Sequence, residues 1–229
     1  TSRSRRRHKF VTAPNHSVDN LPAVQTFVVR VWLPDRPGAL GHVASRVGAV
    51  GADVVGIEIL ERGGGSAIDE ITVVLPDASG VDRLVSEIRQ VEGVAVEDVR
   101  PVPADRPEGA LAALGAAEAI VSAAAADRAS RACCVMRTLL DGDWAAVVEL
   151  PSGEIVGNCG DVVDVEWLAA FLNGSEHLEH ATQHGPGDLA WARLPRRGAA
   201  IACGRDGRVF HERERLEVLA LGRILDALT

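Results

Sequence analysis

Residues 26–53 read TFVVRVWLPDRPGALGHVASRVGAVGAD, and three changes of pattern inside this stretch decide the fold. Phe27, Val29, Val31 and Leu33 alternate with Val28, Arg30 and Trp32, the period of a strand with one dominantly apolar face. Pro34 through Gly38 ends it, because proline donates nothing to a ladder and fixes its own backbone. Leu40, Val43, Ala44, Val47 and Val50 then recur at helical spacing, one apolar stripe closed by Gly51. Ala52 and Asp53 lead into a second strand over about 53–61.

Working outward, Gly63, Gly64, Gly65 and Ser66 separate that strand from a third, over 68–75, in which Ile71, Val73 and Leu75 alternate. Glycines tolerant of positive φ between two alternating runs make a hairpin. A phosphate cradle would need a helix directly after them, and a strand follows. Val81, Leu84, Val85, Ile88 and Val91 repeat the helical stripe up to Gly93, and Val94, Val96 and Val99 open a fourth strand expected to stop at Pro101 and Pro103. The order is strand, helix, strand, strand, helix, strand, so an α+β, ferredoxin-like unit with two helices on one face of a four-stranded antiparallel sheet is expected. Val28 and Trp32 lie on the other face, which predicts a homo-oligomer formed through this unit.

The run Leu33-Pro34-Asp35-Arg36-Pro37-Gly38-Ala39-Leu40 within this order, with Gly51-Ala52-Asp53 entering the second strand, resembles the ACT domain family over about residues 26–103. The resemblance implies a regulatory module that binds a free amino acid. In an amino-acid-binding member, the regulatory domain of phosphoglycerate dehydrogenase, a polar residue before the Arg-Pro-Gly turn and another at the start of the second strand hold the ligand; they match Asp35 and Asp53. That relative has a histidine where this chain has Leu33, which argues against carrying serine over as the effector. The implied ligand site is Asp35, Arg36, Pro37, Gly38, Ala39, Leu40 and Asp53. Its chemistry is plausible by itself: free N–H groups around Gly38 and Ala39, at the positive end of a helix, suit a carboxylate, and the aspartates suit an ammonium. The plain alternative has Asp35 capping the helix and Asp53 merely opening the strand.

Four segments are expected: a flexible basic tail over 1–22, the ACT-like domain over 23–103, a proline-rich linker over 104–110, and a second α/β domain over 111–229. The last carries an alanine-rich helical stretch at 108–140, strands at 143–150, 154–159, 188–194 and 198–203, a helix near 164–173 and a final helix from Glu212. Asp188 to Pro195, Gly204-Arg205 and the run Arg208 to Glu214 make it resemble a GAF domain, without a transferable ligand motif.

Thirty-two acidic against 24 basic residues give a net charge of -8, with a pI near 5.4, which disfavours nucleic acid and anionic membranes as partners. No apolar run is long enough to span a membrane and none resembles a secretory leader, so a cytoplasmic protein is expected. Cys133, Cys134, Cys159 and Cys203 show no C-x-x-C spacing and read as small buried residues. His177, His180 and His184, with Glu176 and Glu179, sit among glycines and read as a surface loop, not a metal site. No nucleophile elbow, P-loop or dinucleotide fingerprint occurs. The sequence therefore points to a non-catalytic regulator without cofactor or metal, signalling to a partner enzyme or to its own second domain. The rival reading is a dimerisation and docking module that has lost ligand binding.

Overall fold

A computed structural model describes residues 25–162, 164–175 and 186–228. The basic tail over 1–22 and the histidines at 177, 180 and 184 lie outside the described residues. The first unit comprises β1 (Gln25–Pro34), α1 (Ala39–Ala49), β2 (Asp53–Gly63), β3 (Ser66–Leu75), α2 (Val81–Ile88) and β4 (Ala95–Val102), with strand order β2-β3-β1-β4 and antiparallel pairs throughout. Phe27, Val29, Val31 and Leu33 pack with Val43, Val47, Leu84 and Ile88 in one core, so the expected helical stripes do meet the expected strand face. The fourth strand ends at Val102, between the two prolines expected to close it, and Pro101 itself pairs with Phe27. The ladder tolerates it because β4 is an edge strand, where a missing N–H need face no neighbour.

The second unit comprises α3 (Gly109–Ser122), α4 (Arg128–Leu139), β5 (Trp144–Glu149), β6 (Ile155–Cys159), α5 (Val165–Gly174), β7 (Leu189–Leu194), β8 (Ala199–Gly204) and α6 (Glu212–Ala227). Its antiparallel sheet has the order β6-β5-β8-β7. Ile120, Met136, Val218 and Leu225 of α3, α4 and α6 fill one face against Ala145, Val147 and Ile201, while Leu168 and Leu172 of α5 fill the other against Ala146, Val148 and Trp191. Small strand residues let helices close on both faces: a Cβ at Gly222 would lie 2.7 Å from that of Ala192. Within the connector expected over 104–110, α3 already begins at Gly109, because Glu58 of β2 accepts the Gly109 N–H at 2.8 Å and so caps a helix of the other unit. Among the described residues no helix is long and apolar enough to cross a membrane.

The second face of the first sheet is covered in large part by the chain itself, although Trp32 stays exposed on it, so that face does not by itself require a second copy. Val28 and Arg30 are buried there. Arg30 donates through Nη2 to Glu70 Oε2 of β3 at 2.8 Å and to Glu214 Oε1 of α6 at 3.0 Å. Arg205 donates to both oxygens of Glu214, at 2.7 and 2.9 Å, and stacks 3.9 Å over the Phe210 ring. Nearer the rim, His211 Nε2 lies 2.9 Å from Glu97 Oε1, Trp32 Nε1–H donates to the same carboxylate, and the Trp32 ring meets His211 edge-on. Burial of a guanidinium is tolerable only with such partners, and removing one side of a buried pair costs about 3–5 kcal/mol. Arg30→Ala is therefore expected to lower the stability of the full chain by about that amount, read as a shift of the urea midpoint, whereas Arg46→Ala, in a solvent-facing pair with Glu87, should change it by less than about 1 kcal/mol.

Candidate functional site

The turn after β1 is held by backbone. Asp35 N–H donates to Gly65 O at 2.9 Å, Arg36 N–H to Pro34 O at 2.8 Å, and Ala39 N–H to Arg36 O at 3.2 Å. Gly38 sits at φ 87°, a left-handed conformation that glycine adopts without strain and that turns the chain into α1. No side chain caps α1, so Asp35 does not play the capping role open to it. Since Ala39 N–H already has a partner, the donors left for a carboxylate lie one step further on, at Leu40 and Gly41, within the helical first turn. Asp35, Arg36, Pro37 and Gly38 are exposed; Ala39 and Leu40 pack against the core.

Asp53 is not brought to this turn. The register runs Asp53, Val74, Thr26 across one end of the sheet and Gly63, Ser66, Pro34 across the other, about 26 Å away at ~3.3 Å per residue. The carboxylate that does lie near Asp35 is Asp69 of β3, absent from the expected site. Asp69 pairs with Val31 in register and is 3 % exposed, and its Oδ1 has no hydrogen-bond partner among the described residues. Burial pushes its carboxyl above the usual aspartate range; Arg62 pulls it down and the charge of Asp35 pushes it further up. A signal for it existed: Ala67, Asp69, Ile71, Val73 and Leu75 share one parity of β3, and four of the five belong to the core. An acid at a core-facing strand position needs a partner to offset its burial. Asp35 and Asp69 offer acceptors and the uncapped start of α1 offers donors, the group types that a zwitterion requires.

Glu70, next along β3, faces the opposite way, into the junction with the second unit. Its carboxylate receives Arg30, Arg100 and Arg106, each within 3.0 Å. Burial would raise this carboxyl, but Arg100, Arg30 and Arg106 outweigh it and hold it at about 2. Glu214 is likewise held below the usual range: burial raises it, while hydrogen bonds and charge from Arg205 and the charge of Arg30 bring it down. Among the described residues no group of three or more His, Cys, Asp or Glu side chains is placed to hold a metal ion.

Residues 27–93 match the family model of the ACT domain. Among solved structures the chain is similar to the ACT domain from GTP pyrophosphokinase of Chlorobium tepidum, with 14% identity over 34% of this chain and 86% of that one and a TM-score of 0.28. It is also similar to the C-terminal domain of the MgtC protein from Mycobacterium tuberculosis, at 20% identity, 37% and 95% coverage and a TM-score of 0.30. An unknown protein from Galdieria sulphuraria aligns at 16% identity over 58% of this chain and 76% of that one, with a TM-score of 0.32. No curated protein matches the chain.

The electrostatics of the junction give a pH dependence with a definite sign. Glu70 falls from its usual 4.5 to about 2 on folding, so its contribution is complete above the unfolded value and is lost as pH drops from about 5 toward 2. At about 1.4 kcal/mol per pKa unit the whole effect is roughly 3 kcal/mol. Unfolding free energy measured from pH 7 to pH 2.5 should decline below pH about 5, and Glu70→Gln, less stable at pH 7, should show a shallower decline.

Proposed function

We propose that this chain is a non-catalytic regulatory protein whose ACT domain binds a free amino acid at the start of α1 and passes the bound state to its second unit. The observation that carries this reading is Asp69: a buried carboxylate with an oxygen that lacks a partner among the described residues and near enough to Asp35 to feel its charge, Asp35 itself lying in the turn before the uncapped α1. An α-ammonium would pair with it, and an α-carboxylate would meet the Leu40 and Gly41 N–H groups. The second unit, a four-stranded sheet between helices, is the receiver and resembles a GAF-type module in this role; a partner enzyme is the target acted upon.

Asp53 enters the site from a second copy. β2 is an edge strand, with Val55, Ile57 and Ile59 exposed along it, and an open apolar edge favours pairing with another chain. If two β2 edges pair antiparallel about Glu58, Asp53 of one copy lies opposite Gly63 of the other. Gly63 is paired with Ser66, beside the Gly65 carbonyl that holds Asp35, so the two aspartates that one chain separates meet across the dyad. The same edge also serves the rival reading, a dimerising and docking module without ligand; a panel of free amino acids that shifts no melting temperature would favour it.

Thermal-shift screening against the twenty amino acids identifies the effector. Asp69→Asn should then weaken binding by about ten-fold to a hundred-fold, the loss of a charged acceptor, while the unliganded protein becomes no less stable because a buried, unpaired charge is gone. Asp35→Ala and Asp53→Ala should each abolish the response as homodimers. Mixed heterodimers of the two should recover binding at one of their two sites, the one that keeps both aspartates. An effector that binds all three variants as tightly as the parent would overturn this placement of the site.

A further inference from the structure

We infer that Cys134 and Cys159 form a reversible dithiol–disulfide pair in which Cys159 is the nucleophile attacked first by hydroperoxides and Cys134 resolves it. The two are far apart in sequence and match no paired-cysteine spacing; the packing of α4 on β6 brings them together. At Gly157 the helix backbone sits directly on the strand: a Cβ there would lie 2.7 Å from Ser130 N and 2.8 Å from the Ala129 carbonyl carbon. Cys133 Sγ donates to Gly157 O at 3.4 Å. One position on, Cys134 comes close enough to Cys159, two residues along the strand, for the two thiols to influence each other. Arg137, nearly a turn further, places Nη1 3.9 Å from Cys159 Sγ and is fixed there by Nε–H donation to Asp143 O at 2.9 Å.

This cluster divides the four cysteines by chemistry. The neighbouring Cys134 thiol, and then Arg137, draw the Cys159 thiol below its usual range, whereas Cys134 is pushed up by its neighbour Cys159 and by burial. Cys133 and Cys203 are buried, which pushes each up to about 12. Nucleophilic sulfur is thiolate sulfur, so reactivity concentrates at Cys159. Its thiolate attacks one oxygen of a hydroperoxide, the O–O bond breaks, and the departing oxygen takes a proton to leave as an alcohol or water. Cys159 is then a sulfenic acid, oxidised by two electrons. The Cys134 sulfur attacks it, the S–S bond forms, and the hydroxyl leaves with the Cys134 proton as water. A dithiol reductant reverses the step by exchange. Cys134 also lines a cavity of about 360 Å³ whose other walls include Glu58, Arg106 and Glu217, so the bond would alter a surface shared by the two units.

The test uses the reduced full chain with a small excess of hydrogen peroxide, followed by thiol counting in denaturant and peptide mapping. Reactive thiols should fall from four to two, with an intramolecular Cys134–Cys159 link assigned by fragment ions that separate residues 133 and 134. Cys134→Ser should stop at a sulfenic acid on Cys159, trapped by dimedone. Arg137→Met should slow alkylation of Cys159 several-fold at pH 7 and move its pH–rate midpoint upward. Oxidation that first consumes Cys133 or Cys203, links separate chains, or leaves all thiols intact would overturn the assignment, as would Cys159 reacting no faster than Cys134.

Discussion

The buried guanidinium of Arg30 is the constraint on which the arrangement of the chain depends. A cation at 1% exposure in the middle of a sheet is tenable only if anions reach it in good geometry. One of them, Glu70, comes from the adjacent strand, where the register places it directly opposite; a second, Glu214, comes from a helix 184 residues away in sequence, and Glu97 of β4 lies further off at 3.8 Å. Glu214 is itself fixed by Arg205 and by the backbone N–H of His211 at the start of α6. Buried charge pairs thus tie the second unit to the first sheet. Such pairing penalises other docking arrangements, which would leave a charge buried without its partner.

The same strand explains how a ligand could be felt across the sheet. Asp69 and Glu70 are neighbours on β3 that point to opposite faces, the first toward the turn before α1, the second into the junction. β1 repeats the arrangement, with the Asp35 turn at its end and Arg30 in its middle. In the proposed reading, neutralising Asp69 with an ammonium would change the charge balance one peptide away from Glu70, which pairs with Arg30 in the junction. No hinge or long path is required, only two faces of one thin layer.

What the sequence disclosed and what it concealed follow the same physical division. Local period and turn chemistry are written along the chain, so the alternation at 27–33, the stripe from Leu40 to Val50 and the sheet of the second unit were legible in place and type. Arg30 was visible only as one member of the polar-tolerant parity of a strand, with nothing nearby to reveal that Glu214 would bury it. Asp53 and Asp35 flank one helix in sequence, yet the antiparallel register carries them to opposite ends of the sheet. Cys134 and Cys159 show no paired spacing, because their approach depends on Gly157 admitting α4 to the strand. Asp69 was the exception: its placement among Ala67, Ile71 and Val73 could have marked it without a structure.

If Arg30 joins the two units as described, they cannot unfold independently. Scanning calorimetry of the full chain at neutral pH tests this most directly. The account predicts one transition whose calorimetric and van't Hoff enthalpies agree, because the junction couples both cores, and which becomes two when Arg30 is replaced by Met. Two separate transitions in the parent chain, with neither moved by Arg30→Met, would contradict it.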